Sequence, residues 1–526
     1  MMNTQCERPR LFSELGKRGS KIFLNRYFYL FIFCLACAVT ALGREVFGAV
    51  LFVLIICVCL VLSDDIATIL LPFLLMCVFL TKCYDSSSTF IKFAWLIVPV
   101  VGAFAFHFIA YRREFSVGRS FWGLLAVSAA VAMGGISWIS GYEYFTVTSF
   151  YYMNFLGVGM VGIYLAIKSQ LTLRRDYDIR EQLIKVLYIM GIFACFMILL
   201  NNLPRTTFAG GIKLVADFQP ANNLSTFMTF AMPCPFFFVK KSRMHIFAPF
   251  LMLFCMFISG SRGGVLFGTI ELVICLFASA IWDKPRRFFY VCAAVGFVAF
   301  VAVFKNSFIA ILQRTNVYPF VKDNEVRKEL IKFSLDRFKK NPIFGHGLGY
   351  TGFKSLYSPK TGAMAWYHMM IPQIIGSMGL VGIAAYLYQG INQLIILFKN
   401  LKKEGRGNHG ITVTLGLSYL GILMMSQVNP GLFCPLPYYL IAVIIFATMD
   451  GEDGFDGIKR LYSKIAEKRE AKRSAKSLQP EDSAETVVES ASESSAEPAV
   501  VEAPAPRAKV VAKRITKKKF EDHIRK

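Results

Sequence analysis

Two histidines and a few isolated arginines hold most of the reactive potential of this sequence. His368 follows Trp366-Tyr367 and stands directly before a long apolar run. Histidine titrates near neutrality and is the most common general acid or base, so a hydroxyl proton is a natural target there. His346 lies in the glycine-rich run NPIFGHGLGY, 341–350, and reads either as a second such group or as a structural one. Arg262 sits in FISGSRGG at the start of another apolar run, where an arginine needs a partner or a water-filled cavity. Arg327 belongs to the polar segment EVRKELIKFSLDRFKK, and Arg205 to a connection that also holds Lys213. Guanidinium groups grip phosphate oxygens in pairs, so the set suits an anionic, phosphorylated substrate, although lipid head groups also attract it.

Three further polar residues stand at apolar boundaries or inside them. Asn222, with Asn223, lies in QPANNLS at the mouth of a span and suits either a sugar or phosphate contact or a helix cap. Glu271 is the carboxylate in the middle of a span, nine residues beyond Arg262 and roughly 13 Å deeper at 1.5 Å per residue. It is a candidate for function or for a hydrogen-bonded structural role. His107 lies within a span and reads as core, His245 and His409 fall on the other side, and His523 is near the C-terminal end. No Cys/His group has zinc spacing, and the few carboxylates outside the spans form no Asp-x-Asp pair. No metal and no cofactor are therefore expected. Cys34-x-x-Cys37 and Cys57-x-Cys59 sit in apolar helices as small hydrophobes.

The elements that must position these residues are membrane helices. Of 526 residues, 55% are hydrophobic and 17% charged, and the mean hydropathy is +0.50, which leaves a soluble multidomain enzyme nearly excluded. Fourteen apolar segments approach the roughly 20 residues a span requires: about 27–43, 46–63, 66–82, 91–111, 120–141, 148–167, 183–202, 222–239, 245–260, 263–282, 287–304, 370–398, 410–428 and 435–449. The expectation is an all-α polytopic membrane protein of about 12–14 transmembrane helices, with one large outer loop, 305–369, that contains short helices. With both termini in the cytoplasm, the inner segments hold 24 Lys and Arg and the short outer ones six, the bias that orients membrane proteins. The outer loop holds 11 basic and four acidic residues. No cleavable signal peptide is expected, because the first apolar run lacks a small-residue cleavage site.

The net charge of +24 thus orients helices and is not one patch seeking nucleic acid, and no nucleic-acid partner is expected. Residues 1–26 read as a cytoplasmic segment, 27–449 as the membrane domain, and 450–526 as a charged, largely disordered cytoplasmic tail, with a short basic helix over 457–476. Within the outer loop a helix is predicted over 325–340, capped by Asp323 or Asn324 and ended by Asn341-Pro342. Arg327, Ile331, Ser334 and Phe338 share one stripe, which turns Arg327 toward the protein and leaves Lys328, Lys332, Lys339 and Lys340 to solvent.

In combination these motifs resemble the O-antigen ligase and polymerase superfamily of bacterial membrane glycosyltransferases. SRGG at 261–264 resembles the family's Ser-Arg-Gly at a span start, and Arg327 ahead of NPIFGHGLG resembles its arginine-bearing loop helix and following turn. His368, with Gly379-Leu380 and Gly382 beyond it, is similar in spacing to the family's loop histidine and next helix, and QPANNLS resembles an earlier Pro-Asn segment. Met369 and Ser377 depart from the Asn and Glu that the family often has there. The resemblance implies a metal-independent transfer of a glycan from an undecaprenyl-pyrophosphate carrier to a glycan or lipid-glycan acceptor at the outer face of the bacterial inner membrane. His368 would be the base, with Arg262, Arg327 and Arg205 binding pyrophosphate and His346, Asn222 and Glu271 as further site residues. Membrane lipids are the remaining partner. A polymerase of lipid-linked repeat units is the alternative within the class, and a flippase of lipid-linked saccharide the alternative outside it.

Overall fold

The computed structural model describes residues 10–80, 94–111, 116–135, 153–169, 177–202, 218–303, 305–306, 309, 322–348, 367, 369–403, 409–428 and 437–450. Among them there is no strand, and the protein is an all-α polytopic membrane protein. In chain order the helices are α1 (Arg10–Phe23), α2 (Arg26–Ala41), α3 (Glu45–Leu62), α4 (Ile66–Phe79, opening with a 3-10 turn), α5 (Ile97–Ala110), α6 (Arg119–Ala130), α7 (Met160–Ser169), α8 (Ile179–Asn202) and α9 (Phe218–Ala231). There follow α10 (Cys234–Phe238), α11 (Phe247–Ser259), α12 (Arg262–Trp282), α13 (Arg287–Val303), α14 (Lys322–Lys340), α15 (Met370–Lys403), α16 (His409–Met425) and α17 (Pro437–Met449).

Every one of the fourteen predicted spans falls on a helix. Length narrows the count that can cross unaided. Five helices combine 18 or more residues with sufficient hydropathy, and α1 and α2, bent by 58°, make a sixth as a pair. The other apolar helices have 10–17 residues among the described ones.

The centre is dry and continuous. Residues 438–450 of α17 and its end are all buried, and α8 packs on α4, α9 and α11. By contrast α13 exposes Phe288, Val291, Val295, Val298 and Phe300. An apolar patch of this extent suits contact with lipid. Polar side chains inside the bundle join helices: the Tyr439 hydroxyl donates to Gln389 Oε1 at 3.0 Å, Tyr419 donates to Gln393, and the Tyr438 hydroxyl donates to the Asn223 carbonyl at 2.8 Å.

At the end of the bundle that holds the basic pairs, Asp450 closes a network. Its carboxylate accepts the amides of Arg119 at 3.1 Å and Ser120 at 2.7 Å, and the Tyr164 hydroxyl at 2.6 Å. The two amides are unpaired donors of the first turn of α6, where a negative charge is favoured. Lys168 donates to the Asp450 carbonyl, and a Cβ on Gly118 would lie 2.3 Å from the carboxylate. The N-terminal segment contributes a helix, α1, seated by Gly19, whose Cβ would lie 1.9 Å from the Leu62 carbonyl, and by a 2.7 Å bond from Ser20 to Asp64. The expected tail helix, 457–476, lies outside the described residues.

Candidate functional site

The segment SGSRGG is built as a joint. Gly260, at φ 70°, ends α11 in the left-handed region that a side chain disfavours. Ser261 then caps α12: its hydroxyl accepts the Gly264 amide at 3.1 Å and donates to Asn222 Oδ1 at 2.6 Å. Gly263 and Gly264 are bare because Cβ atoms there would lie 2.7 Å from Val428 Cγ2 and 2.5 Å from Ser225 Cβ. The joint therefore brings three things together: the half-buried Arg262 as first residue of α12, α9 through Asn222, and the segment 426–428 that follows α16.

Residues 426–428 also receive the outer loop. Arg327 donates a long 3.4 Å bond to the Val428 carbonyl, and the Met370 amide donates to Ser426 O at 2.8 Å. Arg327 thus reaches with its guanidinium the segment against which Gly263, the neighbour of Arg262, is packed. Helix α14, which carries Arg327, packs on α15 through Leu330 and Ser334, and the Ser334 hydroxyl donates to Pro372 O at 2.7 Å. Phe333 and Leu330 meet Tyr367 and Met369 in a small apolar cluster.

The predicted stripe is corrected in one member. Ile331 is 40% exposed, and Leu330 takes its place in the interface. The helix also begins at Lys322, so Asp323 and Asn324 fall inside its first turn and neither is the cap. It stops at Lys340 as expected. Lys328, Lys332, Lys339 and Lys340 are exposed.

The glycine-rich turn is wedged into a broken helix. At Gly379, φ is 59° and ψ −148°, which interrupts α15. In an unbroken helix the amides of Leu380 and Val381 would bond the carbonyls of Gly376 and Ser377. Instead they donate to Pro342 O at 2.8 Å and Ile343 O at 3.1 Å. The two orphaned carbonyls accept the amides of His346 and Gly347, both at 2.9 Å. All four groups are satisfied, as backbone at membrane depth requires. Gly345, at φ 66°, lies so close to the break that a Cβ would stand 2.5 Å from the Ser377–Met378 peptide.

His346 is consequently a buried residue of this wedge, with Nε2 3.4 Å from Asn341 Nδ2. Burial first, then the charges of Arg337 and Lys340, push its pKa below the usual histidine value, so the ring is neutral at pH 7. Asn222 is not the cap of α9 but lies within that helix, bound to Ser261 at the start of α12. Glu271 is fully buried on α12, and neither carboxylate oxygen has a hydrogen-bond partner among the described residues. Its carboxyl occupies the space that Gly421 of α16 leaves, where a Cβ would lie 2.6 Å away. His107 is a core residue with Nδ1 2.9 Å from Leu60 O. His368 and Arg205 lie outside the described residues.

Sequence reasoning missed the segment Ser426–Val428. Its signal was the polar run Ser426-Gln427 followed by Asn429-Pro430-Gly431, a turn signature at a span end.

The family model described as O-antigen ligase matches residues 247–387, from α11 to the second half of α15. The match covers the SRGG joint, α14, the glycine-rich turn and the helix break, and leaves out Arg205, Asn222 and Ser426–Val428. Over that stretch the chain is similar to the O-antigen ligase family, which supports the resemblance of its motifs to the O-antigen ligase and polymerase superfamily. This class comprises membrane enzymes of glycosyl transfer in surface polysaccharide biosynthesis, with a lipid-linked glycan donor and an acceptor as substrates. No curated protein matches the chain.

Proposed function

We propose that the protein transfers a glycan from an undecaprenyl-pyrophosphate carrier to an acceptor hydroxyl on a glycan or lipid-glycan, at the outer face of the bacterial inner membrane. The observation that supports this reading is that Arg327 and the SRGG joint that bears Arg262 meet at Ser426–Val428. Two guanidinium-bearing elements from distant parts of the chain meet at one end of the bundle, where a diphosphate would find donors for its oxygens. The topology with both termini in the cytoplasm puts that end outside, and makes 27–449 the transferase domain.

In this mechanism Arg262 and Arg327, with Arg205, bind the pyrophosphate and take up the charge that develops on it. His368 accepts the proton of the acceptor hydroxyl as its oxygen attacks the anomeric carbon. The bond between that carbon and the phosphate oxygen breaks, and undecaprenyl pyrophosphate leaves. His346, held neutral in the wedge, positions the turn between α14 and α15. Asn222 fixes Ser261 and through it the start of α12, and Glu271 sits deeper on the same helix. The protein's own groups supply acid–base and electrostatic chemistry without a metal.

The test follows a labelled lipid-linked glycan incubated with purified protein and acceptor. Wild type should release undecaprenyl pyrophosphate, whereas His368→Ala should abolish release while expressing and inserting normally. Arg327→Lys should lower transfer by about tenfold to a hundredfold, since lysine keeps the charge but not the paired donors. Wild-type transfer by His368→Ala, or intact relocation of the donor without release, would overturn the reading. In cells, deletion followed by sizing of surface glycan assigns the acceptor: long chains left on the carrier mark a ligase, and their loss marks a polymerase.

A further inference from the structure

A cavity lies one helix length from Arg262. It encloses about 660 Å³ and is walled by Tyr177, Glu181, Lys185, Tyr188, Phe238 and Lys241 at the start of α8 and the end of α10. Arg286, just beyond the far end of α12, donates to Lys240 O at 3.1 Å, so the cavity belongs to the end of the bundle opposite the SRGG joint.

Its charged groups are not all paired with one another. Asp178, which also lines the cavity, accepts the Arg180 amide and is gripped by the Arg180 guanidinium, both at 2.8 Å. Glu181 pairs with Lys241 at 2.7 Å. Lys185 forms no ion pair among the described residues. It is half-buried, and its ammonium lies 4.7 Å from the centre of the Tyr29 ring. Nearby Asp65 is engaged elsewhere, accepting the Tyr177 hydroxyl and the Ala67 amide.

The remaining wall is apolar and rigid. Tyr188 stacks on Phe238 at 5.9 Å and contacts His245 Nδ1 through its hydroxyl at 3.1 Å. An ammonium with no ion pair among the described residues at the edge of the hydrocarbon calls for an anion, and a wall of rings calls for an apolar body attached to it. A free inorganic anion would use the first feature and leave the second and most of the volume idle.

We propose that this cavity binds one membrane phospholipid with an anionic phosphodiester headgroup. Its phosphate rests on Lys185 beside Lys241, and its glycerol and first methylenes lie against Tyr188, Ile189 and Phe238. The site is independent of the transfer reaction and stands or falls separately from it.

Native mass spectrometry of the full-length protein, released from detergent with added lipid, tests the assignment. Phosphatidylglycerol should be retained as a single adduct, and phosphatidylcholine about tenfold less. Lys185→Ala should reduce phosphatidylglycerol retention by about tenfold, the worth of one charge-assisted contact, and Lys185→Arg should keep it. Inorganic phosphate at millimolar concentration should not displace the lipid. A photoreactive phosphatidylglycerol should label the stretch 181–189 of the wild-type chain, a readout that does not depend on any variant folding. Equal retention of the two lipids, unchanged retention in Lys185→Ala, displacement by inorganic phosphate, which would mark a free-anion site, or labelling confined to other segments would each overturn the proposal.

Discussion

Asp450 and Glu271 are both buried carboxylates, and their surroundings are opposite. Asp450 takes two amides of the first turn of α6 and the Tyr164 hydroxyl. Glu271 has no partner among the described residues for either oxygen, and lies in a notch made by a missing side chain on α16. The first carboxylate fastens α17 to α6 and α7 where the polypeptide leaves the bundle. The second weakens the structure that contains it, because an unsatisfied buried polar group costs about 1–3 kcal/mol. Burial alone therefore says little about what a membrane carboxylate does. The donors around it decide.

The largest effect is expected from Asp450→Ala. Losing a buried charge that satisfies three donors should cost about 3–5 kcal/mol, read as a fall in unfolding free energy in detergent micelles. A loss below about 1 kcal/mol would place the fastening of α17 elsewhere. Gly421→Leu comes next. Filling the notch should destabilise by about 1–3 kcal/mol, and pairing it with Glu271→Ala should recover much of that loss, a coupling that a double-mutant cycle measures.

Glu271→Leu should act in the other direction and raise stability by about 1–2 kcal/mol, since it removes the unpaired group. If glycan transfer falls in the same variant, the carboxyl is kept for chemistry; unchanged transfer would leave it without a role there.

His346 stands between the two cases, buried with a long side-chain contact to Asn341. Its pKa is depressed in the folded state, so its contribution to stability is complete above the ordinary histidine value of about 6.5 and declines as pH falls through that value toward the folded one. Protection factors of the amides of 341–348, corrected for the intrinsic pH dependence of exchange, should fall on acidification, and His346→Asn should remove that fall.

The helices were legible because apolar runs are long and the basic pairs between them are dense. Arg262 and Arg327 were legible as arginines in places where arginine is costly. The break at Gly379 was not. Gly379 and Gly382 inside an apolar run are compatible with a continuous helix, and only the returning turn 341–347 shows which amides it replaces. Asp450 was equally hidden, since the first of several acids after a span looks like the start of a solvated tail until α6 is seen to begin on it. The partners in both cases are distant in sequence, 331 residues apart for Asp450 and Arg119. Local patterns of period or charge carry no information at that separation.

The wedge in α15 has a consequence for how the chain is made and how it is altered. Leu380 and Val381 acquire acceptors only from a segment synthesised almost forty residues before them, and already exported if 305–369 is an outer loop. The span that begins at Met370 therefore completes its backbone only when that segment folds back. Biogenesis of this helix waits on the loop, and helical propensity alone does not finish it. Anyone grafting the outer loop from a relative to change acceptor choice should accordingly carry the first half of α15 with it. The transplantable unit runs from the start of α14 through Val381, across the boundary that a hydropathy plot would use as the cut.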